Sequence, residues 1–156
     1  MSFFTNPNRI PESYGIKIAG GLILFFTLMR LIGLHHHVEL RLVNLIIMSV
    51  GIYYGLQKYK STHESHINYF RGLITGAAIS AVSSTVFGLF MFGYMKFDSE
   101  LMQSIIDNEP MGHYLNPYIT SFIVALEGLF SGILVTFLAM NSIDTDSVND
   151  PAGESN

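Results

Sequence analysis

GLITGAAISAVSSTVFG, residues 72–88, carries a small side chain at every fourth position: Gly72, Gly76, Ser80, Ser84 and Gly88. Residues four apart share one face of an α-helix. The stretch holds no charge, so it reads as an apolar helix with a groove along one side, open to the backbone of a neighbour. Grooves of this kind suit helices packing in lipid, where close contact rather than hydrophobic burial supplies the attraction. A single pair of small residues means little, since glycine is common in membrane helices. Five in register on one helix carry more. Gly128 and Gly132 repeat the spacing in the last apolar stretch, and Gly51 and Gly55 in the second. The expectation is that this face packs within the chain's own helices. The sharper alternative is a contact with another copy or another membrane protein.

Working outward, apolar stretches occupy residues 14–34, 38–56, 73–95 and 118–140. Each approaches the ~20 helical residues that cross ~30 Å of hydrocarbon. Lipid offers no partner to a backbone N–H or C=O, so spans of this length fold as helices. The second stretch is the most polar, opening with Glu39, Arg41 and Asn44. Of 156 residues 49% are hydrophobic and 13% charged, and the apolar ones are clustered, which argues for a membrane protein over a soluble core. The expected fold is all-α, a four-transmembrane-helix bundle with a short interfacial amphipathic helix between spans three and four. The chain divides into an integral membrane domain, residues 1–141, and a disordered acidic tail, residues 142–156.

The connections agree with that reading. His35, His36 and His37 make a tight turn between spans one and two, and the polar residues 57–71 join spans two and three. Leu101, Met102, Ile105 and Ile106 fall on one face of a short helix, away from Glu100, Gln103, Ser104 and Asp107. Asp98 or Ser99 caps its start, Pro110 ends it, and its two-faced character suits the membrane interface. Asn116–Pro117 is a good start for span four. No cleaved signal peptide is read at the start. Arg9, Lys17, Lys58, Lys60 and Arg71 fall on one side of the expected spans, and Arg30, Arg41 and Lys96 on the other. That bias places both termini in the cytoplasm of a multi-pass protein of the cell inner membrane.

Glu127 is the residue that asks for chemistry. It lies about ten residues into span four, roughly 15 Å along the helix axis. An ionised side chain there costs about 2.5–3.5 kcal/mol on insertion scales, so it pairs, protonates or faces water. Arg30, Arg41 and Asn44 approach from the same outer half and are the candidate partners of an intramembrane polar network. The structural reading is a fixed ion pair; the functional one is a protonatable site. His35, His36, His37 and Glu39, with His113, Asp107 and Glu109 on the same side, have ligand chemistry for a divalent ion. Three consecutive histidines in a turn do not converge on one ion, so no metal is assigned. No cofactor or catalytic residue is assigned either. There is no phosphate-binding loop, no HExxH and no GxSxG. Ser80, Ser83, Ser84 and Thr85 read as packing hydroxyls. A net charge of −4 and no long basic run speak against nucleic acid. The chain has no cysteine, which excludes disulfides and thiolate metal sites.

Several segments together carry a family pattern: YGIKIAGG at 14–21, IYYGLQKYK at 52–60, NYFRGLITGAAIS at 68–80, NP at 116–117 and EGLFSGIL at 127–134. The chain resembles an uncharacterised family of small four-span bacterial inner-membrane proteins known only as a domain of unknown function. The resemblance covers about residues 12 to 141 and implies four spans in a bacterial inner membrane; it brings no activity and no catalytic residue. The expected role is a non-catalytic accessory or assembly component, not an enzyme. Its partners are the lipid bilayer and either a second copy or another membrane protein. The alternative is a small oligomeric proton-coupled transporter module using Glu127.

Overall fold

Single residues set the helix ends. Asn116 is extended, and its side-chain oxygen accepts the backbone N–H groups of Tyr118 (3.0 Å) and Ile119 (2.9 Å), while Pro117 occupies the first turn, where its missing N–H costs nothing. Gly33 closes the first helix in the left-handed region at φ 79°, a conformation that favours glycine. Asp98 caps the short helix by accepting Leu101 N–H at 3.0 Å. The structure is a computed structural model and describes residues 9–33, 40–62 and 69–143.

Among the described residues the fold is all-helical: α1 (Ile10–Ile32), α2 (Leu40–Thr62), α3 (Tyr69–Phe97), α4 (Ser99–Asn108) and α5 (Pro117–Ser142), with a 3-10 turn at Gly112–Tyr114. Three of them, α1, α3 and α5, are long and apolar enough to cross a membrane. Each long helix extends past the apolar stretch that announced it. Apolarity marks what a bilayer would cover, whereas the hydrogen-bonded helix continues through polar residues such as Gln57–Lys60. The three-histidine turn, most of the polar loop's second half and the acidic tail beyond Ile143 lie outside the described residues.

The four long helices stand side by side. Helix α3 packs between α1 and α5, and α2 closes the far side against all three, so α1 and α5 are diagonal to each other. Helices α1 and α3 run parallel: Gly15 meets Val82, Phe26 meets Phe90 (6.0 Å between centroids) and Arg30 meets Asp98. Helix α5 runs antiparallel to α3. Every position of the small-residue stripe, Gly72, Gly76, Ser80, Ser84 and Gly88, is buried, and α5 fills the groove. Gly76 lies against Thr136, Gly132 against Ser80 and Gly128 against Ser84; a Cβ on Gly88 would come within 2.9 Å of Ala125 Cβ. The stripe on α3 and the Gly128–Gly132 pair on α5 are two halves of one seam.

The hydroxyls in that seam are satisfied locally. Ser80 donates to the Gly76 carbonyl (2.8 Å), Ser84 to that of Ser80 (2.6 Å) and Thr136 to that of Gly132 (2.7 Å). A serine bonded to its own helix presents hardly more bulk than alanine, which is why it can sit in a groove otherwise made by glycine. Larger apolar side chains fill the centre, including Ile52, Leu56, Ile79 and Met140. The outward faces are greasier than the inward ones. On α5 the buried residues include Thr120, Gly132 and Thr136, whereas Phe122, Phe130, Leu134 and Leu138 are exposed. A helix in water would reverse that order.

Candidate functional site

Of the expected network of Glu127, Arg30, Arg41 and Asn44, Arg30 is engaged elsewhere. Arg30, in the last turn of α1, is taken by Asp98: Nε and Nη2 both donate to Asp98 Oδ2, at 3.2 and 2.8 Å, and Glu100 stands 3.8 Å away. Arg30 also donates to the Tyr94 side chain. The physical reason is the order of the helices. Because α1 lies beside α3 and diagonal to α5, the end of α1 meets the end of α3 and cannot serve the middle of α5.

Asp98 is the residue that the sequence reading saw only as a cap. One of its oxygens accepts Leu101 N–H and the other accepts the guanidinium, so it ties α1 and α3 to the start of α4. The Leu101 N–H, and after it the Arg30 side chain, hold the Asp98 carboxyl below the usual carboxylate range, against the opposing push of partial burial. The pair remains 18% and 22% exposed, so solvent screens it. The signal available in the sequence was an acid, Asp98, just past the end of span three and a base, Arg30, at the end of span one, although Lys96 beside Asp98 left the pairing ambiguous.

The remaining members of the expected network lie on α2 and α5. The backbone of Arg41 belongs to the first turn of α2, and its side chain lies outside the described set. Asn44 is half-buried, and its Oδ1 is fully shielded with no partner among the described residues. Leaving a buried acceptor unmet costs about 1–3 kcal/mol. Met48, one turn further along α2, packs near Gly132 of α5. The two helices run parallel, so one turn outward brings Asn44 level with Gly128, next to Glu127. Thr120 Oγ1, nearer the start of α5, is likewise buried without a partner among the described residues.

Glu127 itself is exposed. It has no hydrogen bond or ion pair among the described residues. Neighbours on a helix stand about 100° apart, and Glu127 steps from Gly128 away from the seam. It shares a stripe of α5 with Ser131, Leu134 and Leu138, at helical spacings of four, seven and eleven. Leu138 borders an open groove of about 460 Å³ between α2 and α5, lined also by Ser49, Val50, Tyr53, Tyr54 and Val135. Glu127 stands about two turns nearer the start of α5 than Val135, the first residue of that helix to line the groove. It offers one negative charge, or one proton, to whatever covers this flank.

The other candidates are dispersed. Among the described residues no three His, Cys, Asp or Glu side chains gather where they could hold an ion. His113 is exposed and its ring is tilted 44° against that of Tyr114, with centroids 3.9 Å apart. Lys96, at the end of α3, sits over the Tyr118 ring at 4.9 Å, joining α3 to the first turn of α5. Residues 13–140 match the model of a family described as "Protein of unknown function (DUF4199)". No curated protein and no solved structure matches the chain.

Proposed function

The chain belongs to the family described as "Protein of unknown function (DUF4199)", and within it we propose a four-span integral membrane protein that serves as a non-catalytic accessory or assembly component. The first support is topological. Helices α1 and α3 run parallel. If both cross the bilayer, the chain between them has to cross back, and α2 is the segment that does so. At 23 residues α2 is about 34 Å long, enough for that path. The four helices then form a bundle, α4 lies in the outer interface, and the Lys and Arg bias puts both termini in the cytoplasm of a bacterial inner membrane. The chain has no native cysteine to interfere with labelling. Single cysteines at His36, ahead of α2 in the sequence, and Ser61, in its last turn, therefore react with an impermeant maleimide from opposite sides; labelling from the same side would refute the α2 crossing and with it four spans.

The observation that carries the assembly reading is Glu127. A carboxylate exposed on an apolar helix is expensive in lipid, while the small-residue faces that could have recruited a partner are spent inside the chain. Another chain covering the Glu127 flank removes the expense. Purification in mild detergent with mass and composition analysis tests this. The expected result is a fixed companion that wild type retains and Glu127→Gln loses, with the fold intact. A lone particle unaffected by the substitution contradicts it. The proton-coupled transporter reading rests on the same carboxyl. Its weakness is that the groove lies about two turns away along α5 and, among the described residues, its lining carries no titratable group besides Tyr53 and Tyr54.

A further inference from the structure

We propose that the Glu127 flank of α5 docks a transmembrane helix of another protein that carries one basic side chain, Lys or Arg, at the depth of Glu127. The inference rests on the assembly reading above and names the chemistry of the partner. Glu127 is exposed between apolar neighbours: Ile123, Phe130 and Leu134 are 47%, 63% and 65% exposed. It has no counter-charge among the described residues. Two cations near that end of the molecule are engaged elsewhere, Arg30 with Asp98 and Lys96 over the Phe92 and Tyr118 rings. A lone acid and a lone base in lipid have the same problem, and pairing solves it for both.

A second copy of this chain answers the problem less well. Two copies inserted in the same direction are related by a two-fold axis along the membrane normal, so an α5–α5 contact centred on this flank brings residues of equal depth together and Glu127 would face Glu127, like charge on like. A foreign helix has no such constraint. The surface also has the shape of a helix seat. The stripe from Glu127 to Leu138 covers three turns, roughly 16 Å. At its Leu138 end the groove of about 460 Å³ between α2 and α5 takes apolar side chains. A helix laid along this flank would fill the groove toward the inner side and present its basic residue to Glu127 near mid-membrane.

The test uses the full chain in phosphatidylcholine vesicles with a synthetic leucine–alanine transmembrane peptide carrying a single Lys at its middle. The control peptide has Leu there. Energy transfer is measured from a label on a cysteine introduced at Ser61. The Lys peptide is expected to associate about tenfold more tightly than the Leu peptide, the scale of one interhelical polar contact. Glu127→Gln abolishes the preference while circular dichroism and thermal unfolding stay those of wild type, and Arg41→Gln leaves it in place. Equal binding of the two peptides, or a preference that survives Glu127→Gln, overturns the proposal. So does a preference seen only after Arg41 is replaced, which would show the acid held within its own chain. Transfer between protein copies that depends on Glu127 overturns it in favour of self-association. If the peptides fail while wild type still retains a fixed companion in detergent, only the proposed chemistry falls and the assembly reading stands.

Discussion

Gly76 and Gly20 separate seam from surface. A Cβ at Gly76 collides with Thr136 across the α3–α5 seam, whereas one at Gly20 meets nothing within 4 Å. Gly76→Ile therefore forces α3 and α5 apart or reorients Thr136, a strain of at least about 1–3 kcal/mol by analogy with overpacked cores. Gly20→Ile leaves stability unchanged or slightly raised, since isoleucine is the better helix former. Thermal unfolding in detergent measures both, and equal melting would remove the seam from the account. The close-packing face was legible in advance. Small residues four apart identify such a face whatever it packs against, but Gly51–Gly55 repeats the spacing as well as Gly128–Gly132, so the partner helix was not legible. The direction in which Glu127 faces was not legible. The sequence places it one step from the seam, and that step leads inward or outward according to which helices flank α5.

At the scale of elements, α4 depends on one carboxylate. Asp98 caps it through Leu101 N–H and anchors it to α1 through Arg30. The folded-state pKa of Asp98 lies below its ordinary value. Its ionised form therefore favours the docked α4 throughout the range above the ordinary carboxylate pKa. That contribution is lost as pH falls through the lowered folded value. Asp98→Ala removes cap and pair together, and the cap alone is worth about 1 kcal/mol. Asp98→Asn keeps the capping oxygen but puts an NH2 donor where Arg30 finds its acceptor, so it loses the charge and the pair while sparing the cap. Hydrogen exchange of residues 99–108, corrected for intrinsic rates, is expected to show protection in the order wild type, Asn, Ala at neutral pH. It should show the wild-type advantage over Asn vanishing in acid. No difference among the three would place the α4 anchor elsewhere, in Leu101 and Met102, which are also buried. Element type and the Asn116 cap could be read directly from residues. The Arg30–Asp98 pair could not, because it required knowing that α1 and α3 are neighbours.

For the whole molecule, what escaped the sequence was the order of helices around the core. Short connections restrict direction but leave open which helix lies diagonal to which. With α1 opposite α5, Arg30 is removed from Glu127 and the acid is left on the outside. The greasy outer surface and small-residue seam are what a bilayer selects, and Glu127 is an exposed carboxylate in the middle of one of those greasy helices. The account turns on whether protein covers that flank in the native membrane. Phe130, one turn from Glu127, and Leu24 on α1 are equally exposed, 63% each. Replacing each in turn with a photoreactive phenylalanine and illuminating native membranes tests the point most directly. The account predicts a discrete protein adduct of constant mass from position 130, lost with Glu127→Gln, and only lipid adducts from position 24. Lipid adducts alone from both positions would contradict it.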